Sequence, residues 1–312
     1  MLFNTVGIFL TNKCTAACKM CCYECSPANT QKVDSKLVFD VIEQAGQIPY
    51  IKEIVFSGGE PFLNYDELYS YIISASSKGL FISCYTNAFW CTSLNYTEER
   101  LKDLKMKGLK IIRTSYDYYH SQYIPYEYMK NLLLAAKHVG LKCTLSVGMD
   151  KKTLEELPNI FKRLSLSFLD IDVIFYPFMR VGNAVNNLKN EDIIRNIDID
   201  GLRCKFDRIL AIMYDGTAYP CCGPCMIPSL SIGNIKEQSL SELTKKYKDN
   251  LFFSKILTKG VRGIANDIRE RQLFEIADCY VDACDFCRDI FNDNYKTSIL
   301  EKFYRTEKNV MN

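Results

Sequence analysis

Residues 10–26 read LTNKCTAACKMCCYECS, and within them Cys14, Cys18 and Cys21 are spaced C-x3-C-x2-C. The apolar run before them, Thr5 to Leu10, reads as a strand, so the three thiols sit on the loop that leaves it. Three thiolates this close suit one compact inorganic cofactor. A cubane iron–sulfur cluster normally takes four cysteines. A set of three leaves one iron open, by the logic that keeps a position open on catalytic zinc. Zinc binding, or thiols simply buried in a core, are the competing readings of this stretch.

Outward from that loop a β/α alternation runs to about residue 175. Strands are expected at Thr5 to Leu10, Ile54 to Phe56, Phe81 to Tyr85, Ile111 to Ser115, Cys143 to Val147 and Asp172 to Phe175. Helices are expected at Leu37 to Ala45, Tyr65 to Ser77, Glu98 to Met106, Tyr126 to His138 and Thr153 to Leu164. Six βα units with right-handed crossovers give an α/β fold with a parallel sheet, curled into an open three-quarter barrel. Ligands in such sheets bind at the carboxyl ends of the strands, which is where Cys14 to Cys21 fall. From about residue 200 the pattern changes: cysteines return, Asp215-Gly216 sits where a two-residue hairpin turn would, and residues 236–276 are charged and helical in character. Two domains are expected, 1–200 and 201–312.

The chain has 312 residues, 48% of them hydrophobic, enough for a sizeable core. Its 39 basic and 37 acidic residues leave a net charge of +2. That balance gives no reason to expect nucleic acid as a partner. No signal peptide and no apolar run of membrane-spanning length are seen, so no membrane partner is expected. Fifteen cysteines in tight local clusters, an odd number, argue against a secreted disulfide scaffold and for reduced, metal-bound thiols in the cytoplasm. With two histidines, histidine-based hydrolase chemistry is nearly excluded.

Three strand ends carry polar motifs. Ser57-Gly58-Gly59-Glu60-Pro61 follows the second strand: its glycines allow a close backbone approach to a ligand, and the Glu60 carboxylate can accept from a ligand ammonium. A plain strand-to-helix turn with a helix-start proline is the alternative. Tyr85-Thr86-Asn87 and Ser115-Tyr116-Asp117 end the third and fourth strands, where turn chemistry alone would also favour them. In the second half, Cys204, Cys221, Cys284 and Cys287 supply four thiols around the hairpin, with a ribbon-like zinc site as the structural alternative. Cys222 and Cys225 lie beside them. Cys222 and its neighbour Cys221 point in different directions on an extended segment, so if one faces a cluster the other can face the cavity.

The C-x3-C-x2-C loop with the Gly-Gly-Glu turn about 40 residues on resembles the signature of the radical S-adenosylmethionine (SAM) superfamily. The resemblance implies a partial (β/α)6 radical SAM barrel. In it Cys14, Cys18 and Cys21 hold a 4Fe–4S cluster whose open iron chelates SAM. It implies that Gly58, Gly59 and Glu60 bind the SAM amino group, and that Asn87, Ser115 and Asp117 reach the ribose or the carboxylate. The residue before the third cysteine is commonly aromatic in that superfamily and lies near the adenine. Here it is Met20, apolar but without a ring. Cys204-x11-Gly216-x4-Cys221 resembles the opening of twitch and SPASM domains. That likeness implies a second, auxiliary 4Fe–4S cluster on Cys204, Cys221, Cys284 and Cys287, with Cys279 as a spare for Cys284 and Cys225 without a role.

A narrower resemblance runs across nearly the whole chain, to the epipeptide epimerases of the YydG type. It rests on Cys21-Cys22 then Cys25-Ser26-Pro27, Asn87 then Phe89-Trp90, Asp117 then Tyr119-His120, Val181-Gly182, Tyr219 to Pro224, and Cys284-x2-Cys287 then Ile290 to Asn292. It implies that the SAM-derived radical removes a Cα hydrogen from a residue of a ribosomally made precursor peptide. Cys222 then returns a hydrogen from the opposite face, giving a D-residue. A one-electron reductant of the flavodoxin or ferredoxin type is implied as a second partner. Competing expectations are a crosslinking peptide maturase, a small-molecule radical SAM dehydrogenase, and a non-catalytic electron-transfer or zinc module. The first strand begins close to Met1, so the peptide is expected at the barrel mouth, directly or through a partner. Arg180, after the sixth strand, is a candidate contact for SAM or substrate. Cys84, Cys91 and Cys143 read as core thiols.

Overall fold

The computed structural model describes residues 2–165, 171–204 and 208–310. Six strands, β1 (Thr5–Phe9), β2 (Glu53–Ser57), β3 (Phe81–Thr86), β4 (Leu109–Ser115), β5 (Lys142–Met149) and β6 (Asp172–Pro177), lie side by side in chain order, all parallel. Between them run α1 (Ser35–Gln47), α2 (Tyr65–Ser77), α3 (Leu94–Met106), α4 (Tyr126–Val139) and α5 (Lys151–Leu164). This is the six-unit α/β array expected from the sequence.

Local chemistry explains the boundaries. The Asp34 carboxylate accepts from the backbone N–H of Lys36 and Leu37 and starts α1, which then buries Val38, Val41, Ile42 and Ala45 on one face at helical spacing. Ser93 caps α3, so the helix begins at Leu94, four residues before the expected Glu98. Gly140 ends α4 in the left-handed region at φ 64°. β1 to β5 are covered on both faces, which suits the Val- and Ile-rich runs of a parallel sheet: Val6, Ile54, Phe56, Ile82, Ile112 and Leu145 are all fully enclosed.

After β6 come α6 (Ala184–Asn187) and β7 (Ile197–Asp198), and then β8 (Ile209–Ile212), β9 (Thr217–Tyr219) and β10 (Gly233–Asn234). These three extend the barrel's own sheet, because β8 pairs in parallel with β1 from Thr5↔Ile209 to Ile8↔Ile212, and β9 and β10 follow antiparallel. The hairpin between β8 and β9 is longer than the two residues expected. Gly216 N–H donates to Met213 O (2.8 Å), Met213 N–H donates to Thr217 O (2.9 Å), and Gly216 takes φ 90°. Those bonds are those of a three-residue loop with glycine at the left-handed position. Next come α7 (Leu240–Lys246), α8 (Leu251–Glu270), β11 (Cys279–Tyr280), α9 (Ala283–Phe291) and α10 (Asn294–Val310). α8 breaks at Gly260, whose φ of 70° is non-helical. Among the described residues no helix is long and apolar enough to cross a membrane.

Candidate functional site

The carboxyl ends of β1 to β6 open onto a cavity of about 380 Å³. It is lined by Cys14, Cys18, Cys21 and Met20 from the loop after β1, Gly58 and Gly59 after β2, Asn87 after β3 and Ser115 at the end of β4. Residues expected separately from four motifs thus share one space. Gly223 and Pro224, from the segment after β9, line it from the other side.

The loop after β1 is held by backbone on two sides. Gly59 N–H donates to Thr11 O (2.5 Å) and Glu60 N–H to Lys13 O (2.9 Å). The close approach that the paired glycines permit is therefore to this loop's own backbone: a Cβ on Gly59 would stand 2.2 Å from Lys13 O. On the far side, Asn183 N–H donates to Cys21 O (3.0 Å) and Asn183 Nδ2 to Cys18 O (3.2 Å). Gly182, at φ 56°, passes so near that a Cβ would lie 2.5 Å from Cys21 O and 2.7 Å from Cys22 O. Gly182→Ala is expected to shift the thiol loop and lower iron loading per chain. The fold should survive, because the obstruction falls on a loop, not on the sheet. Iron assay together with far-UV circular dichroism reads both.

The thiols fit an iron–sulfur cluster. Burial raises the Cys14 thiol to about 11 and pushes Cys18 up, and Cys14, Cys18 and Cys21 sit near enough to oppose one another's ionisation. The hydrogen bond from the Cys25 thiol holds Cys21 down at about 6. Thiolates bind metal, so a cationic cluster would displace the protons that burial retains. Two donors already point at sulfur: Ala16 N–H and Asn87 Nδ2 each stand 3.5 Å from Cys14 Sγ. Among the described residues no three His, Cys, Asp or Glu side chains are placed to share a single metal ion. A cubane asks something different, since each cysteine binds its own iron.

Glu60 and Asp117 stand behind the cavity wall. Glu60 is fully buried and accepts from Phe62 N–H (3.0 Å), Thr86 Oγ1 (2.9 Å) and Asn87 N–H (2.6 Å), while burial raises its carboxyl to about 7. It ties the turn after β2 to the end of β3. Asp117, also enclosed, accepts from the backbone N–H of Tyr119 (3.0 Å), His120 (3.2 Å) and Gly148 (3.3 Å) and pairs with His120 Nδ1 (2.8 Å). His120 itself lines the cavity, oriented by Asp117. Arg180 points elsewhere: its guanidinium bonds Asn190 Oδ1 (3.1 Å) and Val185 O, within its own loop.

Sequence reasoning passed over Ser146 and Tyr176, which line the cavity from β5 and β6. The strand-end rule that picked Asn87 and Ser115 would have found Tyr176 had β6 been carried two residues further, to its observed end at Pro177. Cys84, Cys91 and Cys143 are buried in the barrel core, as expected.

The two halves of the site touch directly. The Tyr23 hydroxyl, on the thiol loop, accepts from Gly223 N–H at 2.9 Å, and the Tyr23 ring packs on Phe9 with centroids 4.6 Å apart. Cys222 therefore sits one residue from this bridge, and it is exposed. It lies near Cys22 and Tyr23, both cavity-lining. Cys284 and Cys287 lie on α9, whose first turn is capped by Asp282 through the N–H groups of Cys284 and Asp285. Cys204 lies at the surface before β8, and Cys221 just after β9.

A family model described as the radical SAM superfamily matches residues 8–164, and one described as an iron-sulfur cluster-binding domain (SPASM) matches residues 204–288. YydG of Bacillus subtilis (strain 168), whose name assigns it to peptide biosynthesis, is 26% identical over 97% of this chain and 98% of its own. The crystal structure of anSMEcpe with bound AdoMet and Kp18Cys peptide superposes with a TM-score of 0.61 at 14% identity, over 96% of each chain. BtrN in complex with AdoMet and 2-DOIA gives a TM-score of 0.52 at 18% identity, over 85% of this chain and 90% of BtrN. At these identities the two structures speak to the fold.

Proposed function

The chain belongs to the radical SAM superfamily, with a SPASM iron–sulfur domain after the barrel, and on that premise we propose that it converts L-residues of a ribosomally made peptide to D-residues. SAM and a 4Fe–4S cluster are the cofactors of the first domain, and auxiliary iron–sulfur belongs to the second. The observation that carries the proposal is the position of Cys222. It adjoins the Gly223–Tyr23 bridge, which joins the segment after β9 to the three-thiol loop. The likeness to YydG supports a peptide as substrate.

Cys14, Cys18 and Cys21 would hold the SAM-binding cluster, and Cys221, Cys284 and Cys287 would contribute to the auxiliary one. When bound, SAM on the reduced cluster supplies the carbon radical that removes a peptide Cα hydrogen. The remaining work falls to the chain. Gly58 and Gly59 lay backbone along the SAM site, and Asn87 and Ser115 present polar groups to it. Met20 supplies an apolar wall. Glu60 and Asp117 act through the elements they fasten. Cys222 gives its S–H hydrogen to the planar Cα radical from the opposite side, which inverts the centre. The thiyl left behind takes one electron and one proton before the next turnover. The electron comes from a reductant of the flavodoxin or ferredoxin type, in the reducing cytoplasm.

A thiol proton exchanges with solvent, and a Cα proton does not. In deuterium oxide each epimerised residue should gain one deuterium, found by tandem mass spectrometry on the precursor peptide. A crosslinking maturase would instead remove two hydrogens per link. Product of unchanged mass in deuterium oxide would rule out hydrogen return from any thiol.

A further inference from the structure

Seven cysteines follow residue 200, and five of them, Cys204, Cys221, Cys225, Cys284 and Cys287, fall near one another, where a cubane takes four. Family resemblance points to Cys204 as the first ligand and gives Cys225 nothing to do. The geometry ranks them differently. Cys225 ends the short turn Gly223–Cys225, which is fastened onto α9: Arg288 Nη1 donates to Pro224 O at 2.7 Å, and Cys225 Sγ lies 3.7 Å from Cys284 O. Its thiol is within hydrogen-bond reach of both thiols of the C-x2-C pair. Cys221 is near enough to act electrostatically on both Cys225 and Cys287, and Cys204 on Cys287. Cys225 is only 4% exposed, whereas Cys204 lies at the surface.

A sulfur in contact with both members of a ligand pair occupies the space that the cluster must fill. It either binds an iron or has to withdraw, and the Arg288–Pro224 bond holds its turn in place. We propose that Cys225, rather than Cys204, is the fourth ligand of the auxiliary cluster, completing the set with Cys221, Cys284 and Cys287. The assignment stands apart from the epimerase reading. It has one consequence for that reading: Cys222 then lies within a Cys221-x3-Cys225 loop tied to the cluster at both ends. Its backbone would have little freedom to carry the thiol away from the cavity.

The test is made on the full chain, reconstituted anaerobically with iron and sulfide, by metal and sulfide analysis and by electron paramagnetic resonance of the reduced protein. Cys225→Ala is expected to lose about half of the iron, one cubane of two. The signal of the SAM-binding cluster should remain and should still respond to SAM, which shows that the barrel is folded. Cys204→Ala is expected to keep both clusters. Cys225→Ser separates ligation from packing: oxygen in place of sulfur on an iron shifts or abolishes the auxiliary signal, whereas a packing role leaves it unchanged. Full iron content in Cys225→Ala, an unshifted auxiliary signal in Cys225→Ser, or loss of half the iron in Cys204→Ala would each overturn the assignment.

Discussion

In Cys222→Ala, D-residue formation is expected to fall below detection while peptide-dependent cleavage of SAM continues. The two steps draw on different parts of the molecule. SAM cleavage needs the cluster loop after β1 and an electron, and Cys222 belongs to neither. Inversion needs a hydrogen atom delivered to the side of Cα away from SAM. Among the segments that line the cavity, the one after β9 faces the thiol loop from outside the barrel, and Gly223 and Pro224 mark its place there. Alanine removes one sulfur from an exposed side chain, so the cavity keeps its shape. Cys222→Ser should behave as alanine does, because an O–H bond is too strong to yield hydrogen to a carbon radical. Chiral amino-acid analysis of hydrolysed peptide, alongside chromatographic measurement of 5′-deoxyadenosine, reads both quantities in one reaction. Undiminished D-residue in either variant would end the role given to Cys222.

Gly59→Ala should be the most damaging single methyl group in the barrel. The new Cβ would lie 2.2 Å from Lys13 O and 2.6 Å from Lys13 C, both backbone atoms. Neither can turn aside as a side chain would, so relief requires breaking the Gly59–Thr11 and Glu60–Lys13 hydrogen bonds. Overpacking against backbone with two ladder bonds lost is expected to cost about 3 kcal/mol or more. The loss should appear as a lower denaturant midpoint and as failure to load the SAM-binding cluster. Gly79→Ala is the control. That glycine, unlike Gly59, has a positive φ, 70°, and no atom stands within 4 Å of its would-be Cβ. It should carry only the smaller backbone penalty of about 1 kcal/mol.

Much of the barrel was legible because its signals are local. The span Tyr65–Ser77 is recovered residue for residue, since its apolar positions repeat at helical spacing and Pro61 marks the turn before it. Strand ends and the loops after them are equally local, which is why Cys14, Gly58, Asn87 and Ser115 emerge from sequence and meet in one cavity. Burial is not local. Glu60 and Asp117 sit in polar motifs at the expected rim, yet both fold inward and spend their oxygens on neighbouring backbone and side chains. Nothing in Gly-Gly-Glu or Ser-Tyr-Asp distinguishes a carboxylate that faces a ligand from one that fastens two strand ends. Cys225 was illegible for the same reason. Its neighbours Cys284 and Cys287 are about sixty residues away along the chain, and only the packing of α9 on the turn after β9 brings them together. The hairpin turn failed for a smaller reason: Asp-Gly suits a two-residue loop and a three-residue one alike.

The pairing of β8 with β1 has a consequence for how such enzymes can be cut and recombined. Chemistry divides the chain near residue 200, but hydrogen bonding does not. A fragment ending there would leave the whole β1 edge, Thr5 to Ile8, without the partner that β8 supplies, and a bare, apolar parallel edge invites association with other chains. The barrel is therefore a poor module to express alone. A chimera that borrows another enzyme's auxiliary domain should keep β8 with the barrel and place its junction after Ile212, so that inheritance follows the sheet and not the clusters.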